Sequence, residues 1–269
     1  MHLIFKFTAR RDNYTKQMEQ EWFKEWFDSP YYHTLYKYRD EQEAKNFIDR
    51  LIAFLKPKSE SKMLDLACGK GRYSRHLASK GFEVVGLDLS PSSIDYARQF
   101  ETPLLTFYTH DMRQIYRTNY FDYVFNFFTS FGYFKSDKEH LRTLKTIAAG
   151  LKPNGYFILD FFNAKKVMAR LPHEEVRKEG EVEFWIKKWA ENGRILKKIE
   201  VRDGDQQFTF LENVRAFERE DFEKLFLEAG LKITKIFGDY HLNRFRENES
   251  DRLILIARKG RNPVIFGMD

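Results

Sequence analysis

The stretch MLDLACGKGRYS, residues 63–74, is a short apolar run that breaks at two closely spaced glycines and resumes at helical spacing. A strand that turns on glycine directly into a helix can pair with a parallel neighbour only through a crossover connection, so such a chain is bound to alternate strand and helix. It does. Lys62–Leu66 reads as a strand, Arg72–Ser79 as a helix closed by Gly81, and residues 82–87 as the next strand. Ser90-Pro91 supplies a cap and a first-turn proline for another helix. Residues 104–108 and 120–127 read as strands, Ser136-Asp137-Lys138-Glu139 as a capping box opening a helix to about residue 149, and YFILDFF after the Pro153-Asn154-Gly155 turn as a fifth strand. Strands alternating with helices on short loops predict a parallel sheet covered on both faces.

Two helical segments are expected ahead of this core. One surrounds residues 22–27 and is broken by Asp28-Ser29-Pro30; the other carries Ala44, Phe47, Ile48, Leu51, Ile52 and Leu55 at helical spacing up to Pro57. After Phe162 the rhythm changes. EVEFWIKKWA, ILKKIEVRD and QQFTFLENVRAF, separated by Asn192-Gly193 and by Gly204, predict an antiparallel meander of three strands. A helix over 218–229 and the runs LKITKIFGDY and RLILIARK then resume the α/β pattern, which makes the meander an insertion in one domain. The expected organisation is an N-terminal helical lid over 1–59, an α/β core over 60–163, the insertion over 164–216, the rest of the core over 217–260 and a tail over 261–269.

The bend invites a nucleotide, and its residues discriminate among nucleotides. Gly69-Lys70-Gly71-Arg72 does not satisfy the P-loop pattern, and Ser74 stands where a dinucleotide fingerprint has its third glycine. Asp65 weighs against any phosphate. At an effective dielectric of ~20, a carboxylate about 6 Å from a phosphate costs on the order of 2–3 kcal/mol, most of what a helix N-terminus offers an anion. A ligand with adenosine, no phosphate and a positive charge reverses that sign. The spacing Asp65-x-Ala67-x-Gly69-x-Gly71 resembles the first motif of the class I S-adenosylmethionine-dependent methyltransferases, with Ala67 in place of the usual first glycine. Alanine still lets backbone approach a ligand, but it is expected to exclude an unusual backbone angle there.

The resemblance extends over residues 60–163 and, more loosely, over the closing helix and strands. It implies a Rossmann-like, doubly wound seven-stranded sheet with its last strand antiparallel, an N-terminal helical lid and an inserted β meander. It also implies S-adenosylmethionine as cofactor and assigns residues to it. Asp88, at the end of VVGLDLS and followed by Leu89, would take the ribose hydroxyls. Asp111 and the backbone of Met112 would take the adenine, and backbone around Asn126 and Phe127 would face the methionine part. By analogy with lids of small-molecule methyltransferases, Tyr31, Tyr36 and Arg39 would reach the cofactor. The acceptor pocket would draw on Tyr32 and His33 of the lid, on Phe128, Phe131 and Tyr133 after the fourth strand, and on Tyr240, His241 and Arg244 near the end of the sixth.

Methyl transfer from a sulfonium is a direct displacement on an already activated donor, so the protein mainly positions the reactants and excludes water. A general base is optional; His33, His110, His173 and His241 are the histidines considered for one. The expected acceptor is a small molecule. The rival readings are an RNA or protein methyltransferase, a non-catalytic cofactor-binding module and a nicotinamide oxidoreductase. A formal charge of +6 from basic doublets flanked by acids does not indicate a nucleic-acid track. The 27 Phe and 14 Tyr suit packing and a pocket for a flat or cationic ligand. No Cys/His cluster has metal-ligand spacing, so no metal is expected. The single Cys68, the absence of a membrane-length apolar run and an LIF too short for a signal peptide lead to an expected soluble cytoplasmic protein. The meander, with Phe184, Ile186 and Trp189 amid lysines, would roof the site or cover an edge in a homodimer.

Overall fold

The computed structural model describes residues 21–37 and 41–260; Arg39, expected at the cofactor, lies outside the described residues. In chain order the strands are β1 (Lys62–Leu66), β2 (Glu83–Asp88), β3 (Leu105–Thr109), β4 (Phe121–Asn126), β5 (Leu151–Phe162), β6 (His173–Glu179), β7 (Val182–Glu191), β8 (Arg194–Asp203), β9 (Gln206–Arg215), β10 (Leu231–Phe237) and β11 (Arg252–Lys259). The helices are α1 (Trp22–Asp28), α2 (Pro30–Leu35), α3 (Glu41–Leu55), α4 (Arg72–Ser79), α5 (Pro91–Ala97), α6 (Asp137–Gly150), α7 (Ala164–Met168) and α8 (Arg219–Glu228). They fall into two compact units: residues 41–169 with 217–260, and residues 21–37 with 170–216.

The larger unit is built on a seven-stranded sheet of order β10-β11-β5-β4-β1-β2-β3. Strands β1 to β5 pair in parallel, whereas β11 runs antiparallel to both β5 and β10, as the resemblance implied. The apolar strands are explained by helices on both faces. On one face, Phe47, Ile48 and Leu51 of α3, Leu77 of α4 and Ile94 of α5 close over Met63, Phe107, Phe125 and Ile158. On the other, Phe157 and Phe161 meet Phe226 and Phe222 of α8. Local capping follows the sequence. The Ser90 hydroxyl accepts from the Ser93 N–H with Pro91 next to it, and Ser136 and Glu139 complete their reciprocal capping box.

The smaller unit holds a sheet of order β6-β7-β8-β9, all antiparallel. The meander therefore has four strands and not three. Strand β6, HEEVRKE, was illegible because it is polar except for an exposed Val176, so no apolar period marks it. Asn192 and Gly193 both adopt positive φ, the left-handed pair that a two-residue hairpin requires. Ser29 does more than break α1: its hydroxyl accepts from the Tyr31 N–H and starts α2, with Pro30 in the first position. The Trp26 ring of α1 lies 4.6 Å from that of Phe210 in β9.

Candidate functional site

The order of the larger sheet reverses between β1 and β4, since the chain runs outward from β1 to β3 and then returns to β4. In an open α/β sheet, the crevice at the carboxyl ends of those two strands is where ligands bind. Asn126 stands across it. Its Nδ2 donates to the Leu66 carbonyl at 2.9 Å, tying the two strand ends together. Its Oδ1 is buried and accepts from no protein group. A buried carbonyl oxygen without a donor costs on the order of 1–3 kcal/mol, which a ligand donor would recover.

The glycine bend forms the adjoining wall. Ala67, Gly69 and Gly71 all have positive φ, at 60°, 54° and 77°. This corrects the expectation for Ala67. An L-residue reaches the left-handed region at a cost of roughly 1–2 kcal/mol, and the chain sustains that cost at this bend. The two glycines serve different ends. A Cβ on Gly69 would meet nothing within 4 Å, so its face is open to a ligand. A Cβ on Gly71 would come within 2.5 Å of the Phe107 ring; that glycine is required by packing and by the turn into α4. Gly86 on β2 yields to the same ring.

Asp88 ends β2 and organises the bend. Its Oδ2 accepts from the Gly69 N–H at 2.7 Å and its Oδ1 from the Ser90 N–H at 2.8 Å. A carboxylate at the end of the second strand of such a sheet is the kind of group that receives a ribose diol. Leu89 is half-buried beside it.

Asp65 differs from expectation in a way that matters. It is not a charged neighbour in water but is fully buried, with the Ser74 hydroxyl donating to its Oδ2 at 2.5 Å. Burial pushes its ionisation from an ordinary 3.8 up to about 7, the Ser74 bond opposes that shift, and the nearby Asp88 charge adds to it. The site therefore gains a full negative charge here only above neutrality, or when a cation arrives to stabilise it. Burial likewise pushes the Tyr73 phenol up to about 12 and the Cys68 thiol well above its ordinary value.

The loop after β4 closes the other side. Phe127 is buried, with its ring stacked against Phe125 and 4.6 Å from Tyr73, so only its backbone is available to a ligand. Phe128 and Thr129 both have positive φ. Phe131, expected in the acceptor pocket, is instead buried among His140, Phe217 and Phe222, where an aromatic side chain is worth most. The Tyr133 hydroxyl donates to the Thr129 carbonyl. Tyr240 is half-buried and bonded to Asp160, whereas His241 and Arg244 are exposed.

On the β3 side, the Asp111 carboxylate is gripped by Arg113 through Nε and Nη2, at 2.6 Å for the shortest contact, and also receives the Arg113 N–H. The Met112 carbonyl accepts from Thr146 at 2.8 Å. Nε2 of His110 lies 3.1 Å from the Gln114 carbonyl.

In the smaller unit, the Tyr31 hydroxyl donates to Asp203 at 3.0 Å and the Tyr36 hydroxyl to Glu212 at 2.9 Å. Glu212 also accepts from the Trp26 indole at 2.8 Å, and the buried Lys197 donates to the Tyr36 hydroxyl. Burial pulls the Lys197 ammonium below its ordinary range. The Tyr32 ring packs between Trp26, Phe27, His33 and Tyr36. His173 opens β6 and is exposed.

Asp160, Arg252, Ser74 and Lys197 escaped the sequence reading. A signal existed for Asp160: a lone carboxylate inside YFILDFF demands a partner once that run is a buried strand.

Residues 63–155 match the family described as "Methyltransferase domain". YqeM of Bacillus subtilis (strain 168) is 29% identical over 218 residues, 76% of this chain and 87% of that protein. The dTDP-3-amino-3,4,6-trideoxy-alpha-D-glucopyranose N,N-dimethyltransferase of Streptomyces venezuelae is 26% identical over 73% of this chain and 85% of its own length. The glycine/sarcosine N-methyltransferase of Halorhodospira halochloris is 26% identical over 81% and 83%. The crystal structure of an S-adenosylmethionine-dependent methyltransferase from Clostridium acetobutylicum ATCC 824 shares the fold, with a TM-score of 0.73 at 21% identity over 86% of this chain and 96% of that one. Among the described residues, no helix is long and apolar enough to cross a membrane.

Proposed function

We infer that this chain, which belongs to the class I S-adenosylmethionine-dependent methyltransferases, methylates an amine nitrogen of a small polar acceptor. The observation that carries the acceptor class is that two of its relatives are named for amine methylation, one on an aminosugar nucleotide and one on glycine and sarcosine.

The site residues fit the cofactor. Gly69 leaves room for close approach, the Asp88 carboxylate suits the ribose diol, and the orphaned Asn126 Oδ1 with the buried Asp65 suits the ammonium end. Asp111, held by Arg113, is a candidate acceptor for the adenine amino group. When bound, S-adenosylmethionine supplies a methyl group on a sulfonium, ready for direct displacement. What the chain contributes is alignment and dryness: the Phe127 backbone and the rings of Tyr73 and Phe128 line an apolar wall beside the bend. An amine that is neutral when bound needs no base, which agrees with His110 being turned to a backbone carbonyl and His241 facing solvent. A buried, unpaired Cys68 fits work in a reducing compartment such as the cytoplasm.

The test is S-adenosylhomocysteine release with the full chain and a panel of acceptors: glycine, sarcosine, an aminosugar nucleotide, their hydroxyl analogues, RNA and a protein extract. Turnover on amines and not on the matched hydroxyl compounds is expected. Turnover on RNA or protein alone would overturn the small-molecule reading, and no turnover on any acceptor would favour a cofactor-binding module.

A further inference from the structure

We propose that Asp160, Arg252 and Tyr240 act as one positioning network that holds the loop after β4 in the shape the ligand site needs. The proposal deepens the methyl-transfer reading and rests on it only in taking S-adenosylhomocysteine as the probe.

Phe128 and Thr129 have φ of 57° and 60°. Two successive non-glycine residues in the left-handed region are rare, because each is disfavoured about fivefold to thirtyfold in population. Such a turn persists only where its surroundings over-determine it. Here they do: besides the local bond from Tyr133 to the Thr129 carbonyl, restraints come from residues distant in sequence. The Phe128 N–H donates to Asp160 Oδ2 and the Thr129 N–H to the Asp160 carbonyl, both at 2.9 Å. The Thr129 hydroxyl oxygen accepts from the Phe162 N–H at 3.1 Å and from Arg252 Nη2 at 3.0 Å.

Asp160 is in turn held from two directions. Arg252 Nε donates to its Oδ1 at 2.7 Å, and the Tyr240 hydroxyl donates to its Oδ2 at 3.0 Å. The guanidinium lies 5.6 Å from the ring centroids of both Phe128 and Tyr240, and the Tyr240 ring rests 4.6 Å from Phe47 of α3. The carboxylate thus joins β5, the start of β11 and the segment after β10 to a single turn.

Stability does not explain this arrangement. Asp160 is wholly buried in a strand whose neighbours are Leu159 and Phe161, and well-packed apolar residues in place of a buried ion pair are often as stable or more so. What an ion pair gives that apolar packing cannot is a fixed direction for donors and acceptors. That direction is delivered at the switch point, two and three residues after Asn126 and next to Phe127, whose ring meets Tyr73.

The experiment uses the full chain with Tyr240→Phe, Arg252→Met, and Arg252→Met combined with Thr129→Asn, since asparagine tolerates the left-handed region and keeps an acceptor. Readouts are amide hydrogen exchange over residues 127–130, S-adenosylhomocysteine affinity by calorimetry, and thermal melting. Tyr240→Phe and Arg252→Met should speed exchange at 128 and 129 and weaken affinity by about fivefold to thirtyfold, the equivalent of releasing one left-handed residue. The added Thr129→Asn should recover part of that affinity. A fall in melting temperature with exchange and affinity unchanged would mean a merely structural pair and overturn the proposal. So would lost affinity that Thr129→Asn does not restore, which would make Arg252 a direct ligand contact. Neither outcome depends on the acceptor, so failure of the amine reading is read separately from the acceptor panel.

Discussion

Lowering the pH from 8 to 6 should weaken S-adenosylhomocysteine binding by about tenfold, with Asp65 as the cause. Its carboxyl ionises near 3.8 in an unfolded chain but near 7 in the fold, chiefly because it is buried. Between those values the unfolded chain has lost the proton and the native chain still holds it. Native stability therefore falls as pH rises through that window, by on the order of 4 kcal/mol at most, and the penalty is complete above about 7. A bound ammonium offsets it by favouring the carboxylate. If only the ionised form binds well, the competent fraction is about nine-tenths at pH 8 and about one-tenth at pH 6. The other groups interacting with Asp65 are the Ser74 hydroxyl, the Asp88 carboxylate, the Arg72 guanidinium, and the Cys68 thiol and Tyr73 phenol, both of whose ionisations burial pushes up. Calorimetry in buffers of different ionisation enthalpy should register release of nearly one proton per ligand at pH 6. Asp65→Asn, which keeps the shape and the Ser74 contact, should bind with little pH dependence. A flat wild-type profile, or the same slope in Asp65→Asn, would refute the assignment.

Two further substitutions separate ligand contacts from packing. Asp88→Ala removes the acceptor of two backbone N–H groups as well as the expected ribose contact, and should weaken S-adenosylhomocysteine binding by about 1–3 kcal/mol in a titration. Gly71→Ala sets a Cβ within 2.5 Å of Phe107 at a φ of 77°, and should lower stability by about 2–5 kcal/mol in chemical denaturation, with the loss appearing before any ligand is added.

Much of the larger unit was legible because its strands and helices are decided locally. The runs around β1, β2, β4 and β5 are predominantly apolar, and Ser90-Pro91 and Ser136 to Glu139 carry their own start signals. Those signals depend on neighbours within four residues, so no tertiary information is needed to read them. Strand β6 failed the same test. Its stability comes from pairing with β7, with Lys188 reaching Glu175, and not from an apolar face.

The site divides along the same line. Asp65, Gly69 and Asp88 could be placed because the first two share one short loop and Asp88 ends the next strand, which pairs with β1. Three facts could not be read, and they share a cause. Phe131 belongs to the core because Phe217 and Phe222, some ninety residues on, meet it there. Asp160 is tolerable only because Arg252 of β11 and Tyr240 of the segment after β10 arrive from later in the chain. Asp65 titrates near neutrality because α4 and β2 close over it. Each depends on burial, and burial is a property of contacts between distant segments. A charged residue inside an apolar run can still be recognised as a debt in the sequence, since such a charge is intolerable alone. What the sequence withholds is the creditor, and in this protein the two buried carboxylates find different ones. Asp160 has Arg252 in direct contact, whereas Asp65 has a serine hydroxyl, a neighbouring like charge and the weaker attraction of Arg72. A carboxyl left so poorly compensated at the mouth of a binding crevice is the group through which a cationic ligand can do the most work.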